Sequence, residues 1–294
     1  MTRSKATLIG LTAVVCWSTI VALIRGVAEA LGPAGGAAMI YTVGSALLVC
    51  TVGFPRPSSF PRRYLFAGGV LFVAYELCLA LSLGYAASGR QAIEVSLVNY
   101  LWPSLTILFA VVFNGHRSTM WLVPGVALAF IGVCWAQGGA DGLDLAGMAA
   151  NIGSNPLSYG LAFTGAVIWA AYCTVTARMA NGKNGAALFF MLTALAFWVK
   201  YLTSAEPALH FDWAVAAQVA MAAAAMGLGY AAWNVGIMHG NIAVLAVASY
   251  FIPIFSSALA TVLLSAPLAA GYWKGAAMVC AGSLLCWWAT RARS

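Results

Sequence analysis

Glu76 is the one charge-capable side chain near the centre of a long apolar stretch of this chain. An ionisable group in such a place can bind a cation, carry a proton or hydrogen-bond to a neighbouring helix, and it marks a functional site by default. Aromatic side chains fall at similar depth in their own apolar runs: Trp17, Tyr75, Tyr100, Trp102 and Trp169. Trp169 and Tyr172, three apart, share a helix face, as do Tyr230, Trp233 and Asn234. Each of these residues alone would be ordinary packing between helices. Together they outline a pocket for a planar or apolar ligand that carries a few polar groups. No Lys or Arg lies at that depth, which argues against phosphorylated cargo, whose charge wants a guanidinium or ammonium partner. Glu94 lies a turn inside the end of its run and reads as an interface residue.

Two short matching segments sit among these residues, Asn99-Tyr-Leu-Trp-Pro103 and Ser249-Tyr-Phe-Ile-Pro253, in the middle of long apolar runs. Proline inside a helix removes one hydrogen bond and frees the carbonyl four residues back. Here those carbonyls belong to Asn99 and Ser249, both polar. A free carbonyl in lipid costs about 2–7 kcal/mol unless it meets protein or a wet cavity. Bend, free carbonyl and polar side chain therefore coincide twice, so Asn99, Tyr100, Ser249 and Tyr250 join the pocket and Pro103 and Pro253 become candidate hinges.

The elements that must carry these residues are transmembrane helices. The chain is 63% hydrophobic and only 7% charged, against about 25% charged in soluble domains. A spanning helix needs ~20 apolar residues. Ten stretches qualify: roughly 6–30, 35–55, 64–88, 91–114, 118–138, 158–180, 185–204, 212–238, 241–266 and 271–290. They are too long and continuous for a transmembrane barrel. The first, behind Arg3 and Lys5, reads as a retained helix rather than a cleaved signal.

The formal charge of +7 does not point to nucleic acid. With the N terminus inside, ten of the fourteen Lys and Arg residues fall on the inner face, while Glu29, Asp141, Asp144, Glu206 and Asp212 all fall outside. Basic loops stay cytoplasmic, so both termini are expected there.

Shifting the second half by 150 residues aligns Tyr100 with Tyr250, Pro103 with Pro253, Gly125 with Gly275 and Gly132 with Gly282. Five spans per half is an odd number, so the halves enter the membrane from opposite sides. Such inverted repeats are a transporter architecture, with the substrate site at the midplane between them. The expected fold is thus an all-α membrane protein, one domain over 1–294, made of two inverted five-helix repeats at 1–147 and 148–294.

The seven cysteines lie within the spans without a CxxC and read as small apolar core residues. His116, His210 and His239 lie at span ends without metal-ligand spacing. No nucleotide-binding or hydrolase motif is present, so neither an enzyme nor a bound metal or cofactor is expected. Gly236 and Gly240 form a GxxxG, which permits close helix approach.

Ten short spans in two halves resemble the drug/metabolite transporter superfamily, EamA branch. Residues 80–110 (ALSLGYAASGRQAIEVSLVNYLWPSLTILFA) look like its repeat pattern, with a counterpart at 230–260. Asn99-Tyr-Leu-Trp-Pro103 and the aromatic centre are similar to YddG-type exporters of aromatic amino acids within that branch. The resemblance implies a central cavity lined by spans one, three, four, six, eight and nine, with five and ten as scaffold, and alternating access by rocking of the halves. Many members carry a glycine–glutamate pair after spans four and nine. Here Gly115-His116 and Ser265-Ala266 stand in those places, so that acid's role does not carry over. The expectation is a bacterial inner-membrane exporter of aromatic and other apolar amino acids. Its partners are the substrate and the bilayer, and a monomer suffices. A multidrug or other metabolite exporter is the alternative. Trp17, Tyr75, Trp102, Trp169 and Tyr172 would hold the ring. Glu76, Asn99, Asn234, Ser249 and the freed carbonyls would meet the charged groups.

Overall fold

A computed structural model describes residues 1–115, 117–137, 144–183 and 185–290. The side chains of Asn234, Ile237, Met238, Ile242, Ala243, Ala246 and Val247 lie outside the described set. Among the described residues there are thirteen α-helices and no strand. They are α1 (Arg3–Leu31), α2 (Pro33–Val52), α3 (Arg62–Gly84), α4 (Gly89–Asn99), α5 (Trp102–Asn114), α6 (Leu122–Gln137) and α7 (Leu145–Ser154). Then follow α8 (Pro156–Met179), α9 (Ala186–Leu202), α10 (Trp213–His239), α11 (Ile242–Ser249), α12 (Ile252–Leu263) and α13 (Ala270–Ala289). Six helical stretches are long and apolar enough to cross a membrane. Their outward faces suit lipid: Phe66, Val123 and Val262 are 77%, 73% and 75% exposed. A contiguous apolar surface of this kind is not sustained in water.

Local chemistry sets several boundaries. Ser88, Asn155 and Asp212 cap α4, α8 and α10 through side-chain oxygens that accept from Gln91 N–H, Ser158 N–H and Val215 N–H. Gly32, at φ 80°, lets α1 turn into Pro33 of α2. The first N–H groups of α2 are met from far along the chain, where Glu206 accepts from Ala34 and Gly35. A carboxylate suits the positive end of a helix.

Two features depart from the sequence reading. The stretches 91–114 and 241–266 are each two helices, broken at Tyr100–Leu101 and Tyr250–Phe251, rather than single bent ones. Pro103 and Pro253 each take the second position of the new helix. There their missing N–H is one that has no intrahelical partner anyway, and their fixed φ is already helical. The other departure is α7, which falls where a loop was expected. It is too short to have looked like a span, and Asp144 caps it by accepting from Ala146 N–H at 3.0 Å.

Helices pair mainly with distant ones. α1 lies along α10, α3 along α8, α2 along α9 and α6 along α13. α5 packs on α8 and α12 on α1. Glycines bring the backbones together. A Cβ on Gly10 would sit 2.8 Å from the Gly236 Cα. On α6, a Cβ on Gly125 would meet the Gly282 oxygen at 3.1 Å, and one on Gly132 would meet the Gly275 oxygen at 2.7 Å. Residue number rises along α6 as it falls along α13, so the pair is antiparallel.

Candidate functional site

A cavity of about 180 Å³ lies within the helix cluster. Its wall comes from α1, α3, α4, α5, α8, α10 and α12. These fall in the first, third, fourth, sixth, eighth and ninth apolar stretches. Neither α6 nor α13 reaches it, nor do α2 and α9.

Two aromatic groups face this space. Trp17 of α1 packs against Tyr230 and Trp233 of α10, with ring centroids 5.3 and 5.2 Å apart. Across the wall, Tyr75 of α3 lies 4.4 Å from Trp169 of α8, and Trp102 of α5 meets Trp169 edge-on at 6.3 Å. Phe72 joins the groups from behind, at 6.2 Å from Trp169 and 5.9 Å from Tyr230. Edge-to-face and tilted contacts of this kind each contribute about 0.5–1.5 kcal/mol beyond burial, so the rings are held in place before any ligand arrives.

Glu76 borders the cavity and is itself fully buried. Tyr41 donates to its Oε2 at 2.6 Å and Tyr230 donates to its Oε1 at 3.0 Å. Tyr41 is fixed by stacking on Phe197 at 5.4 Å and by Phe190 at 5.3 Å. No cation accompanies the carboxyl: the ion pairs among the described residues are Arg25–Glu29 and Arg90–Glu94. Asn99, at the last turn of α4, also borders the cavity, and its Oδ1 is buried without a hydrogen-bond partner. α8 approaches closely there, since a Cβ on Gly165 would lie 3.3 Å from that oxygen.

The structure therefore gathers Trp17, Tyr75, Glu76, Asn99, Tyr100, Trp102, Trp169 and Tyr230 around one space. Tyr172, Ser249 and Tyr250 are buried but are not on the wall. Tyr172 packs behind Trp169 at 5.0 Å and against Phe72 at 5.4 Å. In the second break it is Ile252 that faces the cavity. The side chain of Asn234 lies outside the described residues, as does His116. The sequence reading passed over Ile20, Val21, Leu79, Ser96, Cys173, Met226 and Ile252, which complete the wall. As aliphatic or small residues inside apolar runs they carry no signal of their own, except that Ser96 lies one turn before Tyr100. Trp233 had been placed on the face of Tyr230, and it is there.

A polar cluster closes the end of the bundle where α1 and α3 finish and α4 and α8 begin. Arg25, 8% exposed, donates through Nη1 to the carbonyls of Leu83, Gly84 and Ala86. Asn155 Nδ2 donates to the Tyr85 carbonyl and to Gln91 Oε1, each at 2.9 Å. Glu94 pairs with Arg90 at 2.9 Å and accepts from Asn151 Nδ2 at 3.3 Å. Glu94 is thus a buried member of a network at that end of the bundle.

The chain is 59% identical over 293 residues to the aromatic amino acid exporter YddG of Salmonella typhimurium (strain 14028s / SGSC 2262), covering 100% of both chains. It is 60% identical over 291 residues to the exporter of that name from Escherichia coli (strain K12), covering 99% of each. This chain belongs to the YddG family. A member from Ancylobacter novellus is 29% identical over 276 residues, covering 89% of this chain and 90% of its own. A crystal structure matches over 100% of both chains with 25% identity and a TM-score of 0.66. No protein-family model matches the chain. Membership of the YddG family and the apolar helices make this a multi-pass protein of the bacterial inner membrane.

Proposed function

We propose that this protein exports aromatic amino acids, and other apolar ones, through the central cavity by alternating access. The observation that carries the reading is the cavity itself: rings on two sides, a buried carboxyl and an unpartnered amide oxygen, in a member of a family named for aromatic amino acid export. Trp17, Tyr75, Trp102 and Trp169 contact the substrate ring, and Tyr172 backs Trp169. The substrate ammonium turns toward Glu76, reached through Tyr230, and toward Asn99. Neutral donors, the hydroxyl of Tyr100 and the Asn99 amide among them, meet its carboxylate. Ser249 and Tyr250 take part only when the second break rearranges.

The proposed scaffold is a pair of inverted five-helix repeats, 1–147 and 148–294, with both termini cytoplasmic. The packing supports it. Under a shift of 150 residues the α1–α10 pair maps onto α8–α3, and the α5–α8 pair onto α12–α1. The Gly125–Gly282 contact maps onto Gly275–Gly132. These are the relations expected of a two-fold axis lying in the membrane plane. One chain then supplies both halves, so a monomer is a complete unit, and Pro103 and Pro253 are its hinges.

Counterflow in proteoliposomes tests the function. Vesicles loaded with unlabelled phenylalanine, with no ion gradient, should accumulate labelled phenylalanine, and tryptophan should compete it away. An absence of accumulation by the inserted protein, alongside a working control exporter, would sink the reading.

A further inference from the structure

The charge of the cavity is one-sided. Among the described residues its wall holds one carboxyl, Glu76, and no Lys, Arg or His. The polar atom left over is also an acceptor, Asn99 Oδ1, buried without a partner. The remaining polar groups, such as the hydroxyls of Tyr75, Tyr100 and Tyr230, are neutral and can donate or accept. An amino acid brings a cation and an anion. Only the cation has a carboxyl partner waiting here; the anion meets neutral donors.

We infer that the cavity also takes arylalkylamines, aromatic molecules that carry an ammonium group and no carboxylate, as a second substrate class. The inference rests on the same cavity as the amino acid reading. Loss of the substrate carboxylate strands no protein cation, because none lines the wall. It also removes the desolvation of an anion in a space that offers it no cation. Loss of the ammonium would leave Glu76 unmatched.

Access to Glu76 is built into its hydrogen bonds. Tyr41 and Tyr230 each occupy one lone pair of the carboxylate, and about two of its four acceptor sites remain. Tyr230 stands on the cavity wall beside Glu76. Its hydroxyl donates to Glu76 and can accept from an ammonium at the same time, so the carboxylate is felt in the cavity through that oxygen. Trp17, 5.3 Å from the Tyr230 ring, adds an aromatic face beside the cation, a contact favoured for ammonium groups.

The test compares three ligands that share a phenyl ring and a two-carbon spacer on the purified full-length protein by titration calorimetry: phenethylamine, phenylalanine and 3-phenylpropionate. Phenethylamine should bind at least as tightly as phenylalanine, and 3-phenylpropionate at least tenfold more weakly. In Glu76→Gln and Tyr230→Phe proteins the phenethylamine affinity should fall tenfold or more, with little change for 3-phenylpropionate. Phenethylamine loaded into vesicles should then accelerate uptake of labelled phenylalanine beyond the rate in protein-free vesicles. The wild-type ranking stands even where a variant fails to fold. A site that prefers 3-phenylpropionate to phenethylamine overturns the inference, and so does an amine that binds without driving exchange. Phenylalanine counterflow with phenethylamine inactive would leave the amino acid reading and remove this one. Phenethylamine moving in exchange for itself without phenylalanine would do the reverse.

Discussion

At the scale of single residues, the cavity separates shape from charge. Trp169 touches Tyr75, Trp102 and Tyr172 at once, so it fixes the width of the slot a substrate ring would enter. Trp169→Ala should raise KM for phenylalanine in vesicle uptake on the order of tenfold, since the contact with the substrate ring, worth about 0.5–1.5 kcal/mol, is lost. Tyr172→Phe keeps the ring behind Trp169 and should change KM less than twofold; the two variants measured side by side separate wall from backing. The aromatic residues and Glu76 were readable from type and depth alone. Tyr172 was misplaced because three-residue spacing gives a shared face and not the direction of that face. Ser249 and Tyr250 were placed by analogy with Asn99 and Tyr100. A repeat copies the course of the backbone more faithfully than its side chains, and among the described residues the second break presents Ile252 where the first presents Trp102.

At the scale of elements, the breaks at Tyr100–Leu101 and Tyr250–Phe251 put helix ends inside the bundle. Alanine at Pro103 or Pro253 restores an N–H and lets each pair of short helices join. Turnover should slow in both variants while insertion and yield hold, measured as exchange rate per reconstituted protein; unchanged rates in both would leave the breaks a packing role. The glycine contacts make a different prediction. Gly132→Ala puts a methyl 2.7 Å from the Gly275 carbonyl oxygen, against backbone that cannot move alone, and should cost about 1–3 kcal/mol, seen as a lowered melting temperature in detergent. Gly160→Ala meets nothing within 4 Å and should not. The long apolar helices were legible because lipid demands long apolar runs. That the prolines would start new helices was not, because a bent helix and a broken one have the same hydropathy. α7 was hidden by its length.

At the scale of the whole molecule, the polar cluster of Arg25, Gln91, Glu94 and Asn155 joins α3 and α4 of the first half to α8 of the second. A transporter that opens at this end has to take those bonds apart. Asn155→Ala removes the bonds to Tyr85 and Gln91 together with the cap on α8, and should speed alkylation of Cys173 by a membrane-impermeant reagent several-fold. Cys173 lines the cavity and is partly exposed, so site-resolved mass spectrometry can follow it without engineering a reporter. An unchanged rate would mean that the cluster does not guard access. The pairing of α1 with α10 carries a consequence of another kind, for the moment of birth. Gly10 finds Gly236 only after the ribosome has made everything between them, on the order of ten to forty seconds at ~5–20 residues per second. For that interval the first helix stands in the membrane with its glycine face uncovered, and α3 waits in the same way for α8. The newborn first half is therefore a lodger in lipid, dependent on whatever shelters bare helix faces at the insertion site until its complement arrives.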